Sequence, residues 1–290
     1  MKSAAPSVKT GGDPAWRGRV AVVTGASSGL GLALAAALAE RGALPVLVAR
    51  DATRLRQALA TLGGRGECHA LDVRDAAGLR SLARDLAQRH GRLDLWFNNA
   101  GLTLAGEFQQ MRAEHLQRML EVNLLGVLNG CSAAYALMHE QGRGHIVNIA
   151  SLAGLLPTPG LAGYAMCKHG VVGLSLSLRL EAAQRGVRVS VACPAAVDTP
   201  ADPTRAPADL PPLSEAPWLR RFLDAAAGRP APAAEVAQAI LRGTARNDAL
   251  ILPSKSRAVA WLYRMAPGLV WRDSLGRVAA ARGRDAQSMK

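Results

Sequence analysis

The sequence predicts an α/β fold, a doubly wound, seven-stranded and mostly parallel sheet with helices on both faces, from three observations. Short β-branched runs alternate with helical stretches of about 10 to 15 residues, the pattern of βαβ units. The first run ends in glycines, Thr24-Gly25-Ala26-Ser27-Ser28-Gly29-Leu30-Gly31, directly before an Ala/Leu-rich helical stretch. The chain has 290 residues, 49% apolar and 4% aromatic, enough to bury one large core or two small ones and too apolar for disordered or fibrous architectures.

Each element follows in order. Arg19 to Thr24 reads as a strand and Leu30 to Arg41 as a helix, then strand Leu44 to Ala49 and helix Asp51 to Leu62. A strand near Cys68 to Val73, a helix from Asp75 to His90 and a strand Leu93 to Asn98 continue the alternation. A long helical stretch from about Glu114 to His139 leads to strand His145 to Ala150, helix Ala162 to Arg185, strand Val187 to Cys193, helix Ala234 to Arg246 and a last strand Ala249 to Leu252. Nine of the 16 prolines fall between Pro194 and Pro232, which predicts a long irregular loop over 194–232. A loop of that length in a compact domain is usually functional, such as a lid. The expected organisation is an N-terminal extension (1–17), one catalytic domain (18–253) and a basic amphipathic tail (254–290).

The net charge of +13 raises the question of a nucleic-acid or membrane-surface partner. Its distribution narrows the question. Residues 1–19 hold four basic groups and one acid, residues 253–290 hold eight and two, and the 23 basic and 19 acidic groups between them nearly balance. No nucleic-acid recognition motif accompanies the excess. Cys68, Cys131, Cys167 and Cys193 form no CxxC pair and have no His partner at metal-ligand spacing, so no metal is expected and a reduced, cytoplasmic compartment fits. No apolar leader precedes Trp16 and no run reaches ~18 uninterrupted apolar residues, so neither secretion nor a membrane span is expected.

The glycine turn allows close backbone approach to a ligand, and the exposed N–H groups of the following helix suit a diphosphate. Its pattern, with Asn98-Asn99-Ala100-Gly101 after the fourth strand and Tyr164-Ala165-Met166-Cys167-Lys168 thirteen residues after Ser151, resembles the short-chain dehydrogenase/reductase family over roughly residues 18 to 252. The resemblance implies a Rossmann-type fold and a nicotinamide dinucleotide cofactor. It places Gly25, Ser27, Ser28, Gly29, Leu30 and Gly31 at the pyrophosphate, Asp72 and Val73 at the adenine, Asn99, Ala100 and Gly101 along the cofactor, and Pro194, Val197 and Thr199 at the nicotinamide carboxamide. Tyr164 and Lys168 also border the cofactor in this pattern. One departure stands out, because the family's Pro-Gly after the sixth strand is Pro194-Ala195 here, which predicts a modest change in loop path.

The end of the second strand discriminates between the cofactors. An acid there would hydrogen-bond a ribose 2′-hydroxyl and repel a 2′-phosphate, but Ala49 holds that place. Arg50 follows, and a guanidinium can grip a phosphate in two places. NADP(H) is therefore favoured, with NAD(H) as the alternative. Asp51 reads as the cap of the next helix, with a ribose contact as its competing role.

Hydride exchange between a carbinol and a nicotinamide needs a group that handles the hydroxyl proton. A free phenol titrates near ~10 and is a poor base at neutral pH. Tyr164 and Lys168, four apart on a helix, share a face, and an ammonium beside a phenol favours the phenolate. Ser151 ends a strand at the carboxyl edge, where its hydroxyl can hold the substrate oxygen. Asn123, polar within Val122-Asn123-Leu124-Leu125-Gly126, matches the family's fourth catalytic member, which supports a proton relay to the Lys.

Between Ser151 and Tyr164 stand twelve residues without a charge, including Leu155 and Leu156, which suits an apolar substrate. Trp218 and Phe222, four apart, either cover the site from a lid helix or pin that lid to the body. In the tail, Val259, Trp261, Leu262, Tyr263, Met265, Leu269, Val270 and Trp271 mix with arginines and are interrupted at Pro267-Gly268. Three readings stand for it: packing on the body or another subunit, an amphipathic membrane-surface segment, or loose nucleic-acid contact. The expected function is an NADP(H)-dependent oxidoreductase interconverting a carbonyl and an alcohol on a hydrophobic small molecule, assembled as a homodimer or homotetramer, cytoplasmic or peripheral at a membrane. A nucleotide-binding regulator or scaffold without turnover is the alternative.

Overall fold

The structure is a computed structural model that describes residues 15–214, 216–253 and 256–288. Residues 1–14 of the expected N-terminal extension, and Ser254 and Lys255 of the tail, lie outside the described residues.

The β-branched runs become the strands β1 (Val20–Thr24), β2 (Leu44–Ala49), β3 (Glu67–Ala70), β4 (Leu95–Asn98), β5 (Gly144–Ile149) and β6 (Val187–Ala192). With the two-residue β9 (Leu250–Ile251), they form a parallel sheet in the order β3-β2-β1-β4-β5-β6-β9. Strand order reverses at β1 and β4, the topological switch where such sheets bind ligands. Alternation within β1 explains why Val20 to Val23 are all apolar: Ala21 and Val23 enter the core beneath one helical layer, Val20 and Val22 the core beneath the other.

The first layer holds α1 (Gly29–Glu40) and α8 (Ala233–Ala245), whose Leu34, Leu38, Ile240 and Leu241 are buried together. The second holds α3 (Ala76–His90), α5 (Gly126–Gln141) and α6 (Ala162–Ala182), whose Leu79, Val127, Met138 and Val171 surround Trp96. Burying each such side chain is worth about 1.5–3 kcal/mol. The run Ala113–Gln141 is long and apolar enough to cross a membrane by length and composition, yet Val127, Cys131, Ala134 and Met138 pack on the sheet as a core helix does. Asp51 caps α2 (Ala52–Thr61), its Oδ1 accepting from the N–H groups of Thr53 at 2.9 Å and Arg54 at 3.0 Å, the cap role read from the sequence.

Three expectations need correction. The stretch from Glu114 to His139 is not one helix: α4 (Ala113–Leu120) passes through a π-wound turn, Glu121–Leu125, into α5. β3 stops at Ala70, because the Asp72 carboxylate accepts from the Arg74 N–H and closes a turn. The proline-rich segment is not wholly irregular. It contains β7 (Val197–Asp198), paired in parallel with β8 (Ala231–Pro232), and α7 (Pro217–Ala227), with Pro217 in the first helical turn where its missing N–H costs nothing. The tail forms two helices, α9 (Ser256–Met265) and α10 (Pro267–Ser288), divided at the expected proline.

Candidate active site

The glycine turn is a cradle that side chains would fill. Gly25 and Gly29 have φ of 68° and 53°, and a Cβ on Gly31 would collide with the Gly25 carbonyl. The turn is tied to the end of β4: Thr24 Oγ1 accepts from the N–H groups of Asn99 (2.9 Å) and Ala100 (3.0 Å), and Asn99 Nδ2 donates to the Thr24 carbonyl (2.9 Å). Ser28 makes no side-chain cap and the first turn of α1 holds no acid, so the amide dipole at that end is free to meet an anion. This geometry fits a dinucleotide diphosphate. Ser27 and Ser28 stand half-buried at the turn, while the Leu30 side chain belongs to the core.

At the end of β2, Arg50 is exposed and makes no hydrogen bond or ion pair among the described residues. Asp72 lies within its electrostatic reach and is bound by Arg74 at 2.8 Å. Burial pushes the Asp72 carboxyl up, but hydrogen bonds from Arg74, and the charges of Arg74 and Arg50, outweigh it and hold the group below the usual carboxylate range. The Val73 side chain is buried against α5, and its carbonyl accepts from Asn129 Nδ2 at 3.0 Å. Thr199 approaches the glycine turn, where a Cβ on Gly29 would stand 3.1 Å from its Cγ2. Val197 packs with the core, and the Pro194 carbonyl accepts from the Leu152 N–H at 2.8 Å. Ala195 is accommodated without a positive φ.

Ser151, Tyr164, Lys168 and Asn123 come together beyond the ends of β4 and β5. Ser151 follows β5 and its Oγ accepts from the Ala153 N–H at 3.2 Å. Tyr164 and Lys168 lie one turn apart on α6, with Lys168 Nζ 5.6 Å from the phenol ring centroid. Lys168 is only 3% exposed, and its Nζ donates to the Ile149 carbonyl at 2.9 Å, which holds the ammonium under the ring. Asn123 is buried, accepts from the Leu102 N–H at 2.8 Å and donates to the Leu102 carbonyl at 2.6 Å. The π-wound turn aims this side chain inward. A Cβ built on Gly101 would be 3.1 Å from Asn123 Oδ1 and 3.8 Å from Lys168 Nζ, so all three meet at one point. Cys193 lies nearby, and burial pushes its thiol up to about 12, against the opposing Lys168 charge, so it is no nucleophile.

The expected apolar wall is present: residues 152–163 are uncharged and mostly half-buried, with Leu155 leaning on the sheet-side core and Leu156 beside it. Trp218 and Phe222, in contrast, are buried away from Tyr164. Their rings, 6.3 Å apart, pack with Ala105, Leu161, Leu219, Val278 and Ala281, while Trp218 Nε1 donates to Glu107 at 2.6 Å and Arg282 lies 4.5 Å over its ring. Of the two readings of this pair, pinning α7 is the one the packing matches. The apolar side chains of the proline-rich segment that pack against the same buried cluster as Tyr164, formed by Leu104, Met119 and Cys167, are Leu210 and Leu213. Sequence reasoning missed them. The only signal was a pair of leucines flanking Pro211-Pro212, where no periodicity assigns a face.

The profile of the short chain dehydrogenase family matches residues 19–209. The 3-oxoacyl-[acyl-carrier-protein] reductase FabG of Escherichia coli (strain K12) is 34% identical over 225 residues, covering 78% of this chain and 89% of that protein. The probable oxidoreductase EphD of Mycobacterium bovis is 38% identical over 181 residues, 61% of this chain and 31% of that longer protein. Among solved structures, a short-chain dehydrogenase/reductase from Burkholderia phymatum in complex with NAD superposes with a TM-score of 0.77 at 31% identity, covering 88% of this chain and 95% of that one. A short-chain dehydrogenase from Streptomyces avermitilis gives 0.74 at 28% identity, over 90% and 97% of the two chains.

Proposed function

The chain belongs to the short-chain dehydrogenase/reductase family, and on that premise we propose that it is an NADP(H)-dependent oxidoreductase interconverting a carbonyl and an alcohol on a hydrophobic small molecule. The observation that carries the reading is the buried Lys168 ammonium, fixed between the Ile149 carbonyl and the Tyr164 ring. A charge held so far from water is costly unless it acts on a partner, and here the partner is a phenol.

A nicotinamide, when bound, supplies or accepts the hydride. The chain handles everything else. Ser151 holds the substrate oxygen, and Tyr164 gives that oxygen a proton in reduction or removes one in oxidation. Lys168 stabilises the negative charge that the phenolic oxygen then carries. Asn123 is a positioning residue, clamping the backbone of Leu102 so that the Asn99 to Gly101 segment keeps its path. Leu156, Leu210 and Leu213 form the apolar side of the substrate space. The Escherichia coli relative is a 3-oxoacyl-[acyl-carrier-protein] reductase, acting on a ketone of an acyl chain, which agrees with an uncharged wall.

Arg50 supports NADP(H), because it is an exposed cation directly after Ala49, which holds the place of the family's acid. The Burkholderia phymatum neighbour was solved with NAD, so the cofactor preference of this chain depends on its own residues. Exposed Leu125, Leu128, Met166, Leu176 and Leu180 on the outer faces of the α5 and α6 region support a homodimer or homotetramer. Free cysteines agree with a cytoplasmic location.

The test is a spectrophotometric screen of NADPH and NADH oxidation over aliphatic, aromatic and polycyclic carbonyls. The reading expects a higher kcat/KM with NADPH and preference for apolar carbonyls. A preference for NADH, or for small charged keto acids, overturns it. Tight nucleotide binding without turnover on any carbonyl would instead support the regulator.

A further inference from the structure

An ordinary surface helix turns its apolar stripe toward the body and its polar face outward. α9 is built the other way. Its inward positions are Ser256, Ala260 and Tyr263, spaced as one helical face, and they are buried or half-buried. The opposite face, Ala258, Trp261, Leu262 and Met265, follows the same i, i+3, i+4, i+7 spacing and is exposed, with Trp261 63% and Met265 64% accessible. α10 extends the surface. Val270, Ser274, Val278 and Ala281 face inward, and Leu269, Trp271 and Leu275 remain exposed.

Cations flank this apolar surface. Arg257 and Arg264 lie beside the stripe on α9 and Arg272 lies on the outer face of α10, all exposed and without an ion-pair partner among the described residues. Over residues 256–282 the chain holds five arginines and one acid, Asp273, which is engaged by Arg277 at 2.7 Å.

We infer that α9 and α10 form a docking surface for an anionic phospholipid bilayer. Trp261, Leu262, Met265, Leu269, Trp271 and Leu275 enter the boundary between headgroups and acyl chains, and the three free arginines reach lipid phosphates. A second copy of the chain fits this surface less well, since self-pairing would bring arginines against arginines, and Asp273, the one acid over residues 256–282, is already engaged by Arg277.

The surface is joined to the catalytic body through α7 and Glu107. α10 packs on α7 through Ala281 and Val278, and Arg282 binds Glu107 at 3.2 Å. Leu219 of α7 in turn abuts Gly160 in the apolar wall, where a Cβ would collide with it. Docking therefore sets the rim of the active site beside the bilayer. The docking stands apart from the identity of the substrate and from turnover.

The test is flotation of the full chain with vesicles of phosphatidylcholine and phosphatidylserine, against phosphatidylcholine alone, for the wild type and two double variants, Trp261→Ser/Met265→Ser and Arg257→Glu/Arg264→Glu. NADPH binding and NADPH oxidation are measured in parallel without vesicles. The expected result is flotation with the anionic vesicles that weakens at high salt, and a drop of roughly tenfold or more in the bound fraction for each variant, with NADPH binding retained. A wild type that stays at the bottom of the gradient, or variants that float as it does, overturns the inference. So does a wild type that ignores vesicles and sediments as a larger assembly than the variants, which would make the surface an interface between copies. Loss of NADPH oxidation in every form would count against the proposed function and leave the docking result standing.

Discussion

The two edges of the same parallel sheet bury similar polar side chains and use them differently. At the amino edge, Asp94 accepts from the Val20 N–H at 2.9 Å and binds Arg92. His145 bonds Ser190 Oγ at 2.8 Å, and that hydroxyl donates its one hydrogen to the Asp248 carbonyl, so the imidazole Nε2 is the donor. Arg19, Arg92, Arg143 and Arg188 line a cavity of about 240 Å³ there, roofed by Trp16. At the carboxyl edge, Tyr164, Ser151 and the α1 amides stand where a ligand can reach them, and the supporting groups, Lys168, Asn123 and Thr24, are held by bonds to the backbone. The difference teaches that burial of a polar group marks structure when all its bonds close within the protein, and a reacting centre when it supports a group whose bonds do not.

Substitutions at the two edges sharpen that contrast. Lys168→Met at the carboxyl edge is expected to lower kcat/KM by about 10²- to 10⁴-fold, the range for a lost acid–base contribution, while the thermal midpoint holds, because a methionine fills the same buried volume without an ammonium to desolvate. Steady-state kinetics and calorimetry on one preparation check both halves. Asp94→Ala at the amino edge is expected to do the reverse. Leaving the Val20 N–H and Arg92 without their acceptor costs about 3 kcal/mol of stability, read as a lower denaturation midpoint with kcat/KM near wild type.

His145 gives the amino edge a pH signature. Burial, aided by the charges of Arg188, Arg179 and Arg19, pushes its imidazole down to about 3. A depressed histidine contributes fully above its unfolded value near ~6.5, and the contribution is lost as pH falls toward 3, amounting to about 2 kcal/mol by pH 5. Urea unfolding between pH 7 and 5 should show this loss, and His145→Gln should flatten the slope. The smallest expected effect is Arg50→Ala, which raises the NADPH KM about tenfold and leaves NADH kinetics unchanged. An equal effect on both cofactors would remove Arg50 from the 2′-phosphate.

Much of this arrangement is legible in the sequence, because local rules act where the chemistry is dense. A glycine turn after a β-branched run, an Asp before a helix and a phenol four residues from an ammonium each act within a few residues, and the structure keeps all three. What is not legible depends on contacts distant in the chain. The spacing in α9 shows an apolar face but cannot say that this face points outward. The aromatic spacing of Trp218 and Phe222 does not reveal that Glu107 and Arg282, over a hundred residues apart from each other, hold the pair away from Tyr164. The π-wound turn at Asn123 is equally silent in a sequence that reads as continuous helix.

The central claim is that Tyr164 transfers the substrate proton at the carboxyl edge. Its most direct measurement is kcat/KM for NADPH oxidation on an apolar ketone by wild type and Tyr164→Phe, with NADPH affinity determined for both. The expected result is a loss of at least about 10²-fold in kcat/KM with NADPH affinity within about threefold of wild type. A phenylalanine variant that retains most of the activity would contradict the claim.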